Sequence, residues 1–273
     1  MELINPSKYI KRNKFNPSKK MGQNFLVDQN IINHIISIVK NYKCDAIIEI
    51  GPGLGAITKY LCELDIDVHL IEVDKRLFEY LSEHYNDKTK VKLYCQDVLK
   101  FDLDSIAKKY KKCIIVSNLP YSISSLVIIH FLQSQNIKTM FCMLQKELVD
   151  RMLAAPHTKA YSSFSVLMQK YTNIKRLIDV DNNCFVPPPE VKSNFIMIEK
   201  KSNISFDVKF NKFIKLIFSS KRKTLYNNLK SKYSKLQIMD LYKNMGLDKN
   251  LRAEELSYSD IELIYKYIEN NYV

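Results

Sequence analysis

Between residues 46 and 153, short apolar runs alternate with segments of helical periodicity. Few architectures can absorb that pattern. Residues 46–50 form a short apolar run ending in glycines, as expected of a buried strand, and residues 68–73, 91–95, 113–117 and 139–144 read as four further strands. Residues 55–64, 74–84, 124–133 and 146–153 carry helical spacing. Parallel strands need a crossover, usually a helix, so the alternation predicts an α/β fold with a mostly parallel sheet covered on both faces. A further helix precedes the sheet. Ile31, Ile32, Ile35, Ile36 and Val39 share one helical face behind Asp28, a residue type that caps helix N-termini.

After residue 155 the alternation changes. Residues 161–171 read as a helix. Residues 176–180 and 193–199 read as two strands joined across Pro187-Pro188-Pro189, an antiparallel closing hairpin. Only helical patterns follow, at 208–219, 223–230, 235–244 and 260–268. The expected division is a larger domain at 1–201 and a small all-α domain at 202–273. Residues 1–22, with Pro6 and Pro17, read as a mobile basic tail.

Charge is distributed unevenly. Lys and Arg total 42 against 29 Asp and Glu, a net of +13. Residues 1–20 hold six basic and one acidic residue, net +5, and residues 200–273 hold fifteen and eight, net +7. The remaining twenty-one basic and twenty acidic residues leave the centre near neutral. Basic ends suit a polyanion such as nucleic acid, and equally a lysine-rich surface that aids solubility. The six cysteines form no CxxC pair, which argues against a disulfide framework or a zinc site and for reduced thiols in a cytoplasmic protein. No run approaches a membrane span.

Three of the five glycines, Gly51, Gly53 and Gly55, fall in one five-residue window directly after the first strand. Open parallel sheets bind ligands at the C-terminal ends of their strands, where a glycine turn lets backbone approach the ligand. Glu72 ends the second strand, twenty-one residues past Gly51, where a carboxylate can accept both ribose hydroxyls of a nucleoside cofactor. Asp97 follows the third strand and can accept from an adenine amine. A dinucleotide enzyme shares this layout. The loop, however, reads GPGLG rather than GxGxxG, and Pro52 removes an N–H that could cradle a pyrophosphate. S-adenosylmethionine has no phosphate and loses nothing by that.

The fourth strand ends Asn118-Leu119-Pro120-Tyr121. An exocyclic adenine amine is a poor nucleophile because its lone pair is delocalised into the ring. Two acceptors aimed at its hydrogens draw the nitrogen towards a pyramidal geometry. The Asn118 side-chain oxygen and the Leu119 carbonyl can be those acceptors, and Pro120 restricts Leu119 to an extended conformation. Tyr121 offers a stacking face, worth about 1–3 kcal/mol per base. Methyl transfer at such a corner needs positioning and electrostatics, with neither a metal nor a covalent intermediate.

Six stretches make the chain similar to the small-subunit ribosomal RNA adenine dimethyltransferases, and the resemblance covers nearly its whole length. They are GQNFLVD at 22–28, EIGPGLG at 49–55, NLPYSIS at 118–124, the run at 143–171, CFVPPPEVKS at 184–193 and KRKTLYNNL at 221–229. The resemblance implies a Rossmann-like class I methyltransferase sheet with a C-terminal all-α domain. It implies S-adenosylmethionine held by Asn24, Leu26, Gly51, Gly53, Glu72, Asp97 and Asn118. The target adenine would be held by Asn118, Leu119 and Tyr121, with Phe185 as a second aromatic wall. Independently of the resemblance, the basic run suggests that Lys221, Arg222 and Lys223 contact RNA phosphate, and the charge count that Lys11, Arg12, Lys14, Lys19 and Lys20 help dock it. The implied substrate is a pair of adjacent adenosines near the 3′ end of 16S rRNA, dimethylated in the small subunit or its precursor by a monomer, with a role in subunit maturation. Three rivals share parts of this pattern: a large-subunit adenine methyltransferase of the antibiotic-resistance type, a mitochondrial transcription factor derived from the fold, and a mainly RNA-binding assembly factor.

Overall fold

The computed structural model describes residues 5–18 and 21–272. In chain order its elements are α1 (Pro6–Arg12), β1 (Phe25–Leu26), α2 (Gln29–Asn41), β2 (Ala46–Ile50), α3 (Thr58–Leu61), β3 (Asp67–Glu72), α4 (Lys75–Tyr85), β4 (Val91–Cys95), α5 (Asp104–Ala107), β5 (Cys113–Asn118), α6 (Ser124–Gln133) and β6 (Ile137–Gln145). There follow α7 (Lys146–Met152), α8 (Ser163–Tyr171), β7 (Thr172–Val180), β8 (Phe185–Val186), β9 (Ser193–Lys200), α9 (Val208–Ile217), α10 (Leu225–Leu229), α11 (Lys235–Met245) and α12 (Tyr258–Tyr272). Among these, no helix is long and apolar enough to cross a membrane.

The chain divides into two compact units. One comprises the residues up to Lys146 with Ile174–Lys200; the other comprises Glu147–Asn173 with the residues from Lys201 on. The single expected boundary, between 201 and 202, therefore needs correcting. It meets the last of three crossings and misses the first two. Residues 147–173 continue the strand–helix rhythm in sequence, yet their helices belong with the C-terminal ones. The reason lies in their partners. Tyr171 packs against Phe206 and Phe210 at 5.4 and 6.4 Å between ring centres. Its hydroxyl accepts from the Asp207 N–H at 3.1 Å, and Lys170 pairs with Glu262 of α12.

The first unit holds a seven-stranded sheet in the order β4-β3-β2-β5-β6-β9-β7. Strands β4, β3, β2, β5 and β6 are mutually parallel, and β9 runs antiparallel to β6. All five residues of the central strand β2 are buried, as are Cys113 to Ser117 of β5. This burial on both faces is what made the strands legible as apolar runs; each fully buried Val or Ile side chain contributes roughly 1.5–3 kcal/mol. Helix α2 starts where expected, with the Asp28 side chain accepting from the Ile31 N–H at 3.0 Å. Helix α3 starts later than expected, at Thr58 rather than residue 55. Gly55 has φ of 78°, outside the right-handed region, so no helix can run through it.

Residues 6–12 also depart from expectation, forming α1 instead of a mobile tail. Asn5 caps it, its side chain accepting from the Ser7 N–H at 3.0 Å. The Tyr9 ring lies 4.4 Å from Tyr80 of α4, and Phe15 lies 6.0 Å from Phe25. Lys11, Arg12 and Lys14 remain exposed. Lys19 and Lys20 lie outside the described residues.

In the second unit, Phe210, Ile214, Ile217, Leu225, Leu229, Ile261 and Ile264 form a helical core. Tyr161, fully buried, donates its hydroxyl to the Leu256 carbonyl at 2.9 Å.

Candidate active site

The site occupies the C-terminal edge of the parallel strands. At the end of β2 the chain turns at Gly51, whose N–H still donates to the Ile71 carbonyl of β3 at 2.9 Å. Gly53 has φ of 61°, and a Cβ there would stand 3.0 Å from a Phe25 ring carbon. Glycine is thus required both for the left-handed turn and for the segment 21–26 to lie across the loop. That segment is strapped down at Gln23. The Gln23 amide donates to Asp74 at 2.9 Å and accepts from the Ser18 N–H at 2.7 Å. Arg76, paired with Asp74 at 2.6 Å, stacks over the Phe15 ring at 4.5 Å, and this pairing holds the Asp74 carboxyl below its usual range.

Beneath the strap lies a cleft of about 350 Å³. Asn24, Leu26, Gly51, Gly53, Glu72, Asp97, Asn118, Leu119 and Tyr121 all line it. One further lining residue, Glu49, escaped sequence reasoning. The cleft is therefore lined by three carboxylates, Glu49, Glu72 and Asp97, and by no Lys or Arg among the described residues. In a chain of net charge +13, that lining is electrostatically specific: it suits a cation and repels a pyrophosphate.

The three acids are prepared differently. Glu72 is 6 % exposed. Its Oε2 accepts from the Gly53 N–H at 3.1 Å, and its Oε1 accepts from Val73 and Asp74 at 2.9 Å each. Burial raises its pKa while the three N–H groups oppose that rise. A carboxylate has about four acceptor positions, so Oε2 keeps one for a ligand hydroxyl. Asp97 accepts from the Leu99 N–H at 3.0 Å through Oδ1, and its Oδ2 has no partner among the described residues.

Glu49 is 2 % exposed, and its Oε2 is buried without a hydrogen-bond partner, as is the neighbouring Thr58 hydroxyl. Burial pushes its pKa up to about 8. An acid inside the apolar run Ala46-Ile47-Ile48-Glu49-Ile50 was the signal available in the sequence. A buried, unsatisfied carboxyl facing a cleft, together with the cation-suited lining, fits a cofactor carrying a sulfonium and an ammonium.

At the end of β5, the Asn118 side-chain N–H donates to the Asn24 backbone carbonyl at 3.0 Å. This bond fixes which end of the amide faces where and leaves Oδ1 as a free acceptor. The Leu119 carbonyl accepts no hydrogen bond from another described residue. The Pro120 carbonyl, by contrast, is occupied by the Ile123 N–H at 3.2 Å and the Ser124 hydroxyl at 2.9 Å. Tyr121 is held by a 2.7 Å hydrogen bond between its hydroxyl and Ser193 of β9, and burial raises its pKa. The glycine loop abuts this corner, with Pro120 Cδ 3.7 Å from where a Gly51 Cβ would be.

Two expected site residues are placed otherwise. Phe185 does not wall the cleft. In β8 it pairs with Leu26 of β1 and is 1 % exposed, part of the core under the strap. An apolar ring beside a buried strand pair gains more from packing than from a solvent-facing cleft. Lys221 is not a free phosphate ligand, because its ammonium donates to the Tyr161 and Lys159 carbonyls at 2.8 and 3.0 Å. Arg222 and Lys223 are exposed. The loop presenting them is pinned by buried Asn228, whose amide donates to the Ile217 and Ser220 carbonyls at 2.7 and 3.1 Å.

The sheet order, the glycine loop after β2, the carboxylates after β3 and β4 and the Asn-Leu-Pro-Tyr corner after β5 define a class I methyltransferase. Residues 13–270 match the family described as ribosomal RNA adenine dimethylase. The chain belongs to that family, and is an rRNA adenine dimethyltransferase that uses S-adenosylmethionine. Ribosomal RNA small subunit methyltransferase A of Malacoplasma penetrans is 41 % identical over 252 residues, covering 91 % of this chain and 90 % of its own length. Its namesake in Mycoplasmoides gallisepticum is 40 % identical over 262 residues, covering 95 % and 96 %. A dimethyladenosine transferase from Plasmodium falciparum superposes with a TM-score of 0.75 at 23 % identity, over 90 % of this chain and 98 % of its own. The 23S rRNA methyltransferase ErmE gives 0.63 at 20 %, over 90 % and 100 %. At these identities the two structures establish a shared fold.

Proposed function

We propose that the chain converts two adjacent adenosines near the 3′ end of 16S rRNA to N6,N6-dimethyladenosine. We place this reaction in the cytoplasm, on the small subunit or its precursor, with the protein acting as a monomer. The observation that carries the chemistry is the acid-lined cleft, free of cations among its described lining, that ends at two uncommitted acceptors, Asn118 Oδ1 and the Leu119 carbonyl. The small-subunit address rests on the relatives named for it, at about 40 % identity over nearly the full chain.

Each residue then has a physical task. Glu72 accepts one ribose hydroxyl of the cofactor through its remaining lone pair, and Asp97 Oδ2 accepts from its adenine amine. Asn24 and Leu26, on the strap, cover the bound nucleoside and exclude water. When bound, S-adenosylmethionine supplies an electrophilic methyl group. In the first transfer Asn118 Oδ1 and the Leu119 carbonyl each accept one hydrogen of the target amine, and in the second either accepts the one that remains, localising the lone pair for in-line attack; after each transfer the nitrogen loses one proton to solvent. Tyr121 stacks on the base. Preorganised acceptors of this kind do not reorganise during the reaction, which is where their advantage over water arises. Arg222 and Lys223 contact phosphate outside the cleft.

The test is transfer of labelled methyl groups from S-adenosylmethionine to undermethylated small and large subunits in parallel, followed by nucleoside analysis. N6,N6-dimethyladenosine on the small subunit alone is expected. Label on the large subunit would replace the substrate and keep the chemistry; label on neither would remove the proposed reaction.

A further inference from the structure

The strap crosses the cleft on two footholds set on opposite walls. On the cofactor side, the Gln23 amide donates to Asp74 Oδ2 at 2.9 Å. On the target side, the Asn24 carbonyl accepts from the Asn118 side-chain N–H at 3.0 Å. Gln23 and Asn24 are neighbours in the chain, with Cα atoms about 3.8 Å apart, so the position of one foothold sets that of the other. The segment around them is closely held. The Asn24 side-chain N–H donates to the Gly22 carbonyl at 3.2 Å, and a Cβ on Gly22 would stand 3.4 Å from Ser122 Oγ and 3.5 Å from the Tyr121 backbone nitrogen. Gln23 lines the cleft, yet its amide is committed inside the protein, since Oε1 accepts from the Ser18 N–H at 2.7 Å. Asp74 is 4 % exposed and accepts from the Arg76 guanidinium at both oxygens, at 3.0 and 2.6 Å. Its own N–H donates to Glu72 at 2.9 Å. The reaction as described above gives neither Gln23 nor Asp74 a task.

An asparagine amide has a donor end and an acceptor end of similar size, and the bond made by the nitrogen decides which end faces the cleft. For Asn118 that bond is the one to the Asn24 carbonyl. Turned the other way, its NH2 group would meet the target amine donor to donor. Resting on the base-binding reading above, we propose that Gln23 and Asp74 are positioning residues for the target amine: by fixing the strap they set the Asn24 carbonyl, and that carbonyl keeps Asn118 Oδ1 aimed at the nitrogen to be methylated. Glutamine suits this post because it donates to Asp74 at one end and accepts from Ser18 at the other. Glutamate would keep the second bond and set a carboxylate against a carboxylate. Losing one neutral hydrogen bond shifts a two-way preference by roughly two- to thirteenfold, which bounds the effect of deleting the Gln23 amide. Like-charge repulsion adds to that loss.

Single-turnover methyl transfer to undermethylated small subunits, with S-adenosylmethionine and subunits both saturating, isolates the step that the acceptor serves. Calorimetry with S-adenosylhomocysteine on the same full-length variants reads cofactor affinity separately and certifies the fold. Gln23→Ala should lower the saturated rate by roughly two- to thirteenfold. Gln23→Glu should lower it by about tenfold or more. Adding Asp74→Asn to Gln23→Glu should recover most of that loss, because the new amide donates to the new carboxylate and Arg76 keeps an anionic partner. In an Asn118→Ala background, Gln23→Ala should cost nothing further in saturated rate, since no Oδ1 remains to aim. A strap that only supports the fold would cost the same in both backgrounds. A wild-type saturated rate in Gln23→Glu, no recovery with Asp74→Asn in a variant that still binds S-adenosylhomocysteine, or equal losses in the two backgrounds overturns the assignment. A normal saturated rate in Asn118→Ala itself would instead overturn the base-binding reading on which it rests.

Discussion

Replacing Asn118 with alanine removes two interactions that can be measured separately. The side-chain N–H holds the strap through the Asn24 carbonyl at 3.0 Å, and Oδ1 is the acceptor left over by that bond. A neutral hydrogen bond of the first kind contributes about 0.5–1.5 kcal/mol, so its loss should weaken cofactor binding by roughly two- to thirteenfold. A preorganised polar group aimed at the reacting centre is worth more. By analogy with removal of an oxyanion-hole donor, losing Oδ1 should cost about a hundredfold or more in turnover. The two effects separate when methyl transfer is followed in single turnovers with cofactor and RNA both saturating, and S-adenosylhomocysteine affinity is measured by calorimetry. Asn118→Ala should then show a modest rise in Kd and a much larger fall in the rate at saturation. If the rate at saturation stays near normal and weaker binding accounts for the whole defect, Asn118 acts only as a strap tether. The proposed polarisation of the amine would then be wrong.

Neutralising Arg222 and Lys223 together should lower the slope of log affinity against log salt by roughly 1.4–1.8, as expected for two phosphate contacts. Lys221→Gln should leave that slope unchanged and instead lower thermal stability, because its ammonium binds two carbonyls; equal slopes in all variants would place the RNA contact elsewhere. His157 has φ of 65°, a conformation that strains a side chain by about 1 kcal/mol, so His157→Gly should raise Tm by roughly 1–3 °C, and a lower Tm would argue against strain there. Phe15→Ala removes the ring under Arg76 and should weaken S-adenosylhomocysteine roughly two- to fivefold, as expected from loss of one cation–π contact; unchanged affinity would free the strap from any part in binding.

The centre of the sheet was readable because β2 and most of β5 are buried on both faces, and near-continuous apolar runs such as Ala46–Ile50 and Cys113–Ser117 fit few places except the middle of such a sheet. Glu72, Asp97 and Asn118 were readable because each stands at or just past the end of an expected strand, at the edge where parallel sheets bind ligands. What escaped depends on long-range pairing. Tyr9 and Phe15 look like scattered aromatics in a lysine-rich tail until Tyr80 and Phe25 are beside them. Phe185 was placed by its motif, whereas its exposure is decided by Leu26. Lys221 belongs to a basic triplet in sequence and to the 159–161 turn in space. The unit boundary failed likewise, since α7 and α8 keep the sheet's rhythm but bury their apolar faces among helices written later.

That interleaving bears on synthesis. The ribosome releases α7 and α8 before it has made α9, the first of the helices that share their compact unit, which begins at Val208. During that interval Val166, Leu167 and Met168, all buried in the finished protein, belong to a compact unit that is still incomplete. Strand β9, the antiparallel neighbour of β6, is made within the same interval. The first unit is therefore fully synthesised, through Lys200, before α9 to α12 of the second have been made. Nascent chains stalled near residue 205 should accordingly recruit hydrophobic-surface chaperones more strongly than chains stalled near residue 145 or released at full length.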